Sequence, residues 1–157
     1  MRLWNNPLKY IPLFQKCAAV VSPDFSVSPT MNKYEIEHNV FMSRWLGNLW
    51  HFYGCTVIPS ISWATKETYE LCLSGIQKGS VIAVSTLGVQ NNKEIFLDGF
   101  NNVQKNIEPP LTFVYGDMLD GMYGKFVNFP YKEAFNTKYK QLTLPGYSRI
   151  FEIKEEI

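Results

Sequence analysis

The strongest constraint on the fold is a set of four short apolar runs that are rich in β-branched and aromatic residues. The runs are 17–21 (CAAVV), 55–59 (CTVIP), 81–84 (VIAV) and 111–115 (LTFVY). Each is almost continuously apolar, which is typical of strands buried on both faces of a parallel sheet. Their first residues are 38, 26 and 30 positions apart, which leaves room for crossover helices and excludes tight hairpins.

The segments between these runs have the periodicity of helices. Residues 34–53 form the first, with Gly54 as its C-cap; Thr65 caps a second that Gly79 ends. A third helix is predicted over 92–107, before Pro109-Pro110. The inner stripe predicted for the first helix is Ile36, Val40, Phe41, Trp45, Leu49 and Phe52.

Ahead of the first strand, Asn6-Pro7 is predicted to open a short helix that directs Leu8, Ile11 and Phe14 inward. Because this helix follows no strand, we expect a further element upstream of it. After Tyr115 the regularity fades, and only residues 147–153 again resemble a strand.

These patterns together predict a single α/β domain with about four mostly parallel strands and crossover helices. The sheet is either open and Rossmann-like or part of a β/α barrel. Residues 1–116 form the predicted core, and residues 117–157 form an irregular C-terminal extension packed on the same domain.

Composition excludes several classes of protein. Hydrophobic residues make up 46% of the chain, yet no run approaches the roughly 18 apolar residues of a membrane-spanning helix. A net charge of +1 makes nucleic acid the least favoured partner. Three cysteines without a CxxC pair, and the lack of an apolar leader, predict a cytoplasmic protein without a disulfide framework.

Polar side chains follow each predicted strand, at the end where α/β proteins bind their ligands. The same residue types also make good turns and helix caps, which is the alternative explanation. As ligand-binding candidates we identify Asp24, Ser26, Ser62, Trp63, Ser85, Thr86 and Asp117, together with Arg44 from the first long helix.

The chemistry of these candidates suits a polar small molecule with a flat moiety, held by stacking and hydrogen bonds. Asp24 and Asp117 would share a divalent cation, or divide acid and base roles, if the fold brings them together. Arg44 would pair with an anion or form a structural ion pair. No metal site is predicted from His38 or His51, no phosphate-loop motif is present, and no catalytic residue is assigned.

An ordered series of motifs resembles domain-of-unknown-function family 4417, which comes from bacteria, their phages and mobile elements. The motifs are LWNNP (3–7), SPDFS (22–26), RWLG (44–47), VIPSISW (57–63), KGSVIAVST (78–86) and FLDGF (96–100). The resemblance spans residues 2–116 and singles out Asp24, Arg44, Trp45 and Trp63 as motif positions. It implies no established activity, a host-cytoplasm location for a phage-encoded chain, and an additional segment before LWNNP.

Two functional hypotheses from different classes follow. In the first, the domain binds a polar, nucleotide-like small molecule at the carboxyl ends of its strands, with Asp24 as acid or metal ligand and Trp63 as a stacking wall. In the second, it is a non-enzymatic module that contacts a host or phage protein through exposed aromatic residues. The residues do not decide whether a reaction is catalysed, and a homodimer is compatible with both hypotheses.

Overall fold

The computed structural model describes residues 2–89 and 92–130, which adopt a mixed α/β fold. The helices in this part of the chain are α1 (Arg2–Asn5), α2 (Ile11–Phe14), α3 (Lys33–Phe52), α4 (Tyr69–Leu73) and α5 (Lys93–Ile107), with a 3₁₀ turn (Lys66–Thr68) before α4. The strands are β1 (Val20–Val21), β2 (Val57–Ile58), β3 (Ile82–Ser85), β4 (Thr112–Tyr115) and β5 (Phe126–Phe129). The predicted α/β class is confirmed.

All strand pairs are parallel. β1 pairs with β2 in one sheet, β3, β4 and β5 form a second sheet in that order, and a parallel bridge between Ser60 and Ala83 links the two. Neighbours in space are thus neighbours in sequence, without the reversal of strand order that defines a doubly wound sheet. Of the two predicted arrangements, this order favours the partial β/α barrel.

The two faces of the second sheet bury different side chains, as the two-residue period of a strand requires. Ile82, Val84 and Val114 pack against Val103 and Ile107 of α5. The opposite face is filled from the strands and the residues just before them: Ala19, Ile58, Val81, Ala83, Leu111, Phe113, Val127 and Phe129. A cluster supplied by all five strand regions is what a curled sheet produces on its inner face.

Helix α3 begins at a complete capping box. The Asn32 side chain accepts from the Tyr34 and Glu35 amides, and the Glu35 carboxylate accepts from the Asn32 amide. The predicted inner stripe of α3 is only half right, because Phe41, Trp45 and Phe52 are exposed by 53%, 40% and 81%. Ile36 and Val40 are buried as predicted, but Met42, Leu46 and Trp50 complete the buried stripe, which is rotated from the predicted one.

The shorter helices also differ from the predictions. The N-terminal helix does not open at Asn6-Pro7: α2 begins at Ile11 and takes Pro12 into its first turn, where a missing amide is tolerated. Leu8, predicted to point inward, precedes the helix and is exposed.

Helix α4 ends at Leu73, well before the predicted end at Gly79, so Ile76, which the periodicity places on the inner stripe of this helix, lies beyond it. Helix α5 matches its predicted bounds closely.

Beyond residue 116 the chain continues the sheet, since β5 of the predicted extension pairs with β4. β5 was not predicted, because FVNF is short and follows a glycine-rich loop without a helix. The strand predicted over 147–153 lies outside the described residues.

In the part of the chain that the structure describes, no helix is both long and apolar enough to cross a membrane.

Candidate functional site

A cleft of about 230 Å³ opens beyond the carboxyl ends of β1, β2 and β3. Its polar lining comes from Asp24 and Ser26 after β1, Ser62 after β2 and Ser85 at the end of β3. The indole of Trp63 and the ring of Phe96 form an aromatic wall, and Val27, Ile61, Leu87 and Val89 complete the lining. We call this the Trp63 cleft; it brings together five of the eight residues predicted from the sequence.

Most polar side chains of the Trp63 cleft are free. No hydrogen bond to another described residue is formed by the carboxylate of Asp24 or the hydroxyls of Ser26 and Ser62. The Ser85 hydroxyl accepts from the Leu87 amide at 3.3 Å, which is a turn contact. Asp24 and Ser26 are exposed, so solvent or a ligand satisfies these groups.

The charge of the cleft is one-sided. Asp24 contributes the single carboxylate of the lining, and no lysine or arginine accompanies it among the described residues. A carboxylate and serine hydroxyls accept hydrogen bonds readily, so the cleft suits a ligand that carries donors and no negative charge.

Trp63 is fixed from behind by an unusually close helix. Its indole lies against Gly99 of α5, where a Cβ would overlap the ring. The Phe96 ring, one turn earlier on α5, lies 5.0 Å from the Trp63 ring between centroids. The glycine in FLDGF therefore places the tryptophan of VIPSISW, and the two motifs build one wall.

Behind the cleft lies a buried cluster of three hydroxyls. The Oγ atoms of Ser22 and Ser43 are 3.3 Å apart, those of Ser22 and Ser60 are 3.2 Å apart, and those of Ser43 and Ser60 are 3.5 Å apart. Ser22 also accepts from the Ser60 amide at 2.9 Å. The cluster ties the end of β1 to α3 and to the segment after β2.

Arg44 extends this cluster toward α4. Its Nε donates to the Ser74 carbonyl (3.0 Å), Nη1 to the Ser60 carbonyl (2.9 Å) and Nη2 to the Cys72 carbonyl (2.8 Å). Nη1 also lies 3.4 Å from the Ser43 hydroxyl. We refer to Ser22, Ser43, Ser60 and Arg44 as the serine–arginine network.

The electrostatics of Arg44 differ from the ion pair considered from the sequence. Burial lowers the pKa of its guanidinium, whereas the nearby Cys72 and Asp24 act in the opposite direction. Among the described residues no carboxylate lies within 4.0 Å of Arg44. Neutral carbonyls thus take the place of the expected carboxylate, two of them at the C-terminal end of α4, where a cation is favoured.

Besides Arg44, two of the predicted residues lie apart from the cleft lining. The buried Thr86 hydroxyl donates to the Asp117 carbonyl at 2.8 Å, which joins the ends of β3 and β4. The Asp117 side chain is exposed and does not line the cleft. Within the described ranges, no group of three histidine, cysteine or acidic side chains is arranged to hold a metal ion.

The sequence did not reveal the serine–arginine network as a unit. Ser22 and Ser60 lie at the ends of predicted strands but were not among the candidates. Ser43 lies within a helix whose apolar stripe was predicted one position away from the observed one. The available signal was a serine next to an arginine on the buried side of α3. This signal could be recognised only once the phase of the helix was known.

A separate feature is an aromatic surface formed by Trp4, Phe41 and Trp45. The Trp4 ring lies 5.3 Å from Trp45 and 6.2 Å from Phe41 between centroids, in edge-on geometry. Phe41 and Trp45 project from α3 on the side away from its buried stripe. Both residues were predicted to lie in the core, on the inner stripe of α3.

The family comparison covers most of the chain. The sequence profile described as "Domain of unknown function (DUF4417)" matches residues 1–132, which include every strand described above. The match extends past residue 116, where the resemblance in the motifs ended. No solved structure matches this chain.

Two relatives come from phages. The chain is 34% identical over 118 residues to the "Gene 1 protein" of Mycobacterium phage L5, covering 73% of this chain and 52% of the relative. It is 30% identical over 138 residues to the "Gene 1 protein" of Mycobacterium phage D29, covering 86% and 50%. The chain thus spans about half the length of these relatives, whose names state no activity. By profile and by relatives, it belongs to the phage-associated domain-of-unknown-function family 4417.

Proposed function

We propose that this domain binds a polar small molecule with a flat ring in the Trp63 cleft. One observation carries the proposal: Asp24, Ser26 and Ser62, from two consecutive strand exits, converge on an aromatic wall without hydrogen bonds to described residues. Groups that served only as caps or turns would be engaged with nearby backbone amides. Convergent free polar groups beside an apolar wall are typical of ligand sites.

The lining narrows the ligand class. With a carboxylate and no cationic side chain in the lining, a phosphate in the cleft would meet repulsion from Asp24 and no direct cationic partner. Among nucleotide-like molecules, a nucleoside therefore suits the cleft better than a nucleotide. The cleft volume of about 230 Å³ lies below the roughly 300–1,000 Å³ of drug-sized pockets. A cleft of this volume suits a ligand as small as a nucleoside.

The roles of the residues follow from this class. Asp24 accepts hydrogen bonds from amino or hydroxyl groups of the ligand, and Ser62 supplies a second polar contact. Trp63 offers an indole for stacking, an interaction of about 1–3 kcal/mol per base in nucleic-acid complexes. A cation held by Asp24 would need further ligands from the bound molecule or from water.

The first test is native mass spectrometry of the protein purified gently without added ligand. A retained mass of a few hundred daltons that disappears in Asp24→Asn and persists in Asp120→Asn supports the proposal. Asp120 is the matched control because it is an exposed aspartate outside the cleft lining.

A titration with nucleosides and their monophosphates covers weak ligands that purification removes. We expect the nucleoside to bind at least tenfold more tightly than its monophosphate, and Asp24→Asn to weaken binding without lowering the melting temperature. Failure of every nucleoside to bind, together with a bare native spectrum, contradicts the proposal.

The aromatic surface supports a second candidate function, contact with a host or phage protein. Half-exposed tryptophan and phenylalanine rings are enriched in the cores of protein interfaces. If this is the function, Trp45→Lys abolishes a stoichiometric complex that Asp24→Asn leaves intact, as measured by cross-linking. Acrylamide quenching should report an accessible tryptophan population that Trp45→Lys removes.

A further inference from the structure

Arg44 satisfies its hydrogen bonds without an ion pair, and Asp24 acts on its charge only from beyond salt-bridge distance. Its three short bonds go to the neutral carbonyls of Ser60, Cys72 and Ser74, and no described carboxylate lies within salt-bridge distance. An arginine enclosed in this way is normally accompanied by an opposite charge, because transfer of an unpaired ion out of water is unfavourable.

A crevice of about 140 Å³ adjoins this guanidinium. It lies between the second half of α3, β2 and the segment after α4, and it shares no lining residue with the Trp63 cleft. We call it the Arg44 crevice. The two sites are therefore lined by different residues, although the serine–arginine network borders the crevice and lies behind the cleft.

The polar lining of the Arg44 crevice is rich in hydrogen-bond donors. Arg44, Asn48 and His51 are spaced four and three residues apart, which places them on one face of α3. The hydroxyls of Ser22 and Ser43 also line the crevice, and no acidic side chain does so among the described residues. This composition is the reverse of that of the Trp63 cleft.

Two glycines keep the crevice open. Gly47 belongs to the same face of α3, and Gly75, with a φ of +74°, adopts a conformation that favours glycine. A Cβ on Gly75 would lie 3.6 Å from Cδ of Arg44 and would occupy space beside the arginine stem.

From this geometry we infer that the Arg44 crevice binds a small oxyanion of the phosphate class, whose charge balances Arg44. The anion would accept hydrogen bonds from the Asn48 amide, a His51 ring N–H and a serine hydroxyl, beside the arginine. The volume admits free phosphate or the terminal group of a phosphomonoester. This inference does not depend on the function proposed for the Trp63 cleft.

The experiment measures thermal unfolding of the full chain in sodium phosphate and in sodium chloride of equal ionic strength. At phosphate concentrations of about ten times the dissociation constant, we expect the melting temperature to rise by about 3 °C relative to chloride. Glycerol 3-phosphate distinguishes free phosphate from phosphomonoesters as the ligand. A site for phosphomonoesters binds glycerol 3-phosphate more tightly than phosphate, whereas a site for free phosphate binds it more weakly.

The decisive variant is Asn48→Asp, which adds a carboxylate one helical turn from Arg44. It should weaken phosphate binding at least tenfold by repulsion and raise the melting temperature in chloride, since it supplies the missing charge. Asn101→Asp makes the same charge change on an exposed position of α5 and should do neither. His51→Ala, a second exposed position on the crevice, should weaken phosphate binding several-fold.

The inference is overturned if phosphate and chloride give the same melting temperature. It is also overturned if Asn48→Asp and His51→Ala bind phosphate as tightly as the parent chain, because the anion then lies elsewhere. Nucleoside binding in the Trp63 cleft is unaffected by either result, so failure of one proposal is distinguishable from failure of the other.

Discussion

The serine–arginine network and the Trp63 cleft use similar residues at the same strand ends, yet the polar groups of the network are hydrogen-bonded within the protein and most of those in the cleft are not. In the network, Ser22, Ser60 and Arg44 are bonded within the protein. In the cleft, Asp24 and Ser62 have no such partners. A polar residue at a strand exit is therefore a candidate for ligand binding only when it makes no hydrogen bonds within the protein.

Burial explains the division. Ser22 and Ser60 point under α3, where an unpaired hydroxyl or amide would be unfavourable by about 1–3 kcal/mol. Asp24 and Ser26 project past the sheet edge into solvent, where water satisfies them. The network is therefore expected to determine stability, and the cleft is expected to determine ligand binding.

The largest test of this comparison is Arg44→Met. Removal of the guanidinium leaves three carbonyls and the Ser43 hydroxyl without their donor, and we expect the free energy of unfolding to fall by about 3 kcal/mol or more. Urea unfolding followed by circular dichroism measures this change. Arg44→Lys retains the charge but not the planar fork, so it should recover only part of the loss.

Lys9→Met provides the control for Arg44, since it removes a cation from an exposed position and should change the stability by less than about 0.5 kcal/mol. If Arg44→Met and Lys9→Met are equally mild, the network does not determine stability and the comparison breaks down.

The next test, Gly99→Ala, links the cleft to its supporting helix. Alanine is the better helix former by about 1 kcal/mol, but its Cβ overlaps the Trp63 indole. We expect a net loss of about 2 kcal/mol in the free energy of unfolding, in the range of overpacked cores, and weaker ligand binding. Asn101→Ala, on an exposed turn of the same helix, should instead be neutral or slightly stabilising.

A double variant identifies the cause of the Gly99 effect. In a Trp63→Leu background the overlap is absent, so Gly99→Ala should become neutral or stabilising. Persistence of the full destabilisation in that background would show that the indole is not responsible.

A pair of serine variants compares the two regions most directly. Ser22→Ala leaves the buried Ser60 amide without its acceptor and should lower the free energy of unfolding by about 1–2 kcal/mol. Ser62→Ala, in the cleft, should change it by less than about 0.5 kcal/mol and weaken ligand binding instead. The opposite ranking in urea unfolding would reverse the assignment of the two regions.

Much of the fold was predictable because the strand signals are local. The runs around Val57, Ile82 and Phe113 are apolar and β-branched or aromatic, and the strands occur there. The partial-barrel order was left open, since strand order depends on long-range pairing that spacing does not encode. β5 was missed because four residues after a glycine-rich loop carry too weak a signal.

The site was predictable only as a set of candidates. Five strand-exit positions converge on one cleft, but Thr86 follows Ser85 immediately and turns inward to the carbonyl of Asp117. On α3, the predicted phase put Trp45 in the core, whereas the structure buries Leu46. With the wrong phase, the aromatic surface was predicted to be buried, and Ser43 was not predicted to be. A helix with apolar residues on both sides does not specify its own phase, which tertiary packing selects.

The smallest predicted effect concerns a polar pair outside both regions. Tyr69 donates to the Asp98 carboxylate at 2.9 Å, and burial, this bond and the negative charge together raise the pKa of Tyr69 to about 12 from 10.0. Because the folded state holds this proton more tightly, the stability contributed by Tyr69 is complete below about pH 10 and is lost as the pH rises through 12.

Tyr69→Phe removes this titration, so its melting temperature should fall less steeply between pH 10 and 12 than that of the parent chain. Tyr34→Phe is the control, because it makes the same substitution at an exposed tyrosine on α3. Equal slopes for the parent chain and Tyr69→Phe would mean that the hydrogen bond of this half-buried tyrosine does not hold its proton more tightly in the folded state. Burial, rather than bonding alone, would then separate the serine–arginine network from the Trp63 cleft.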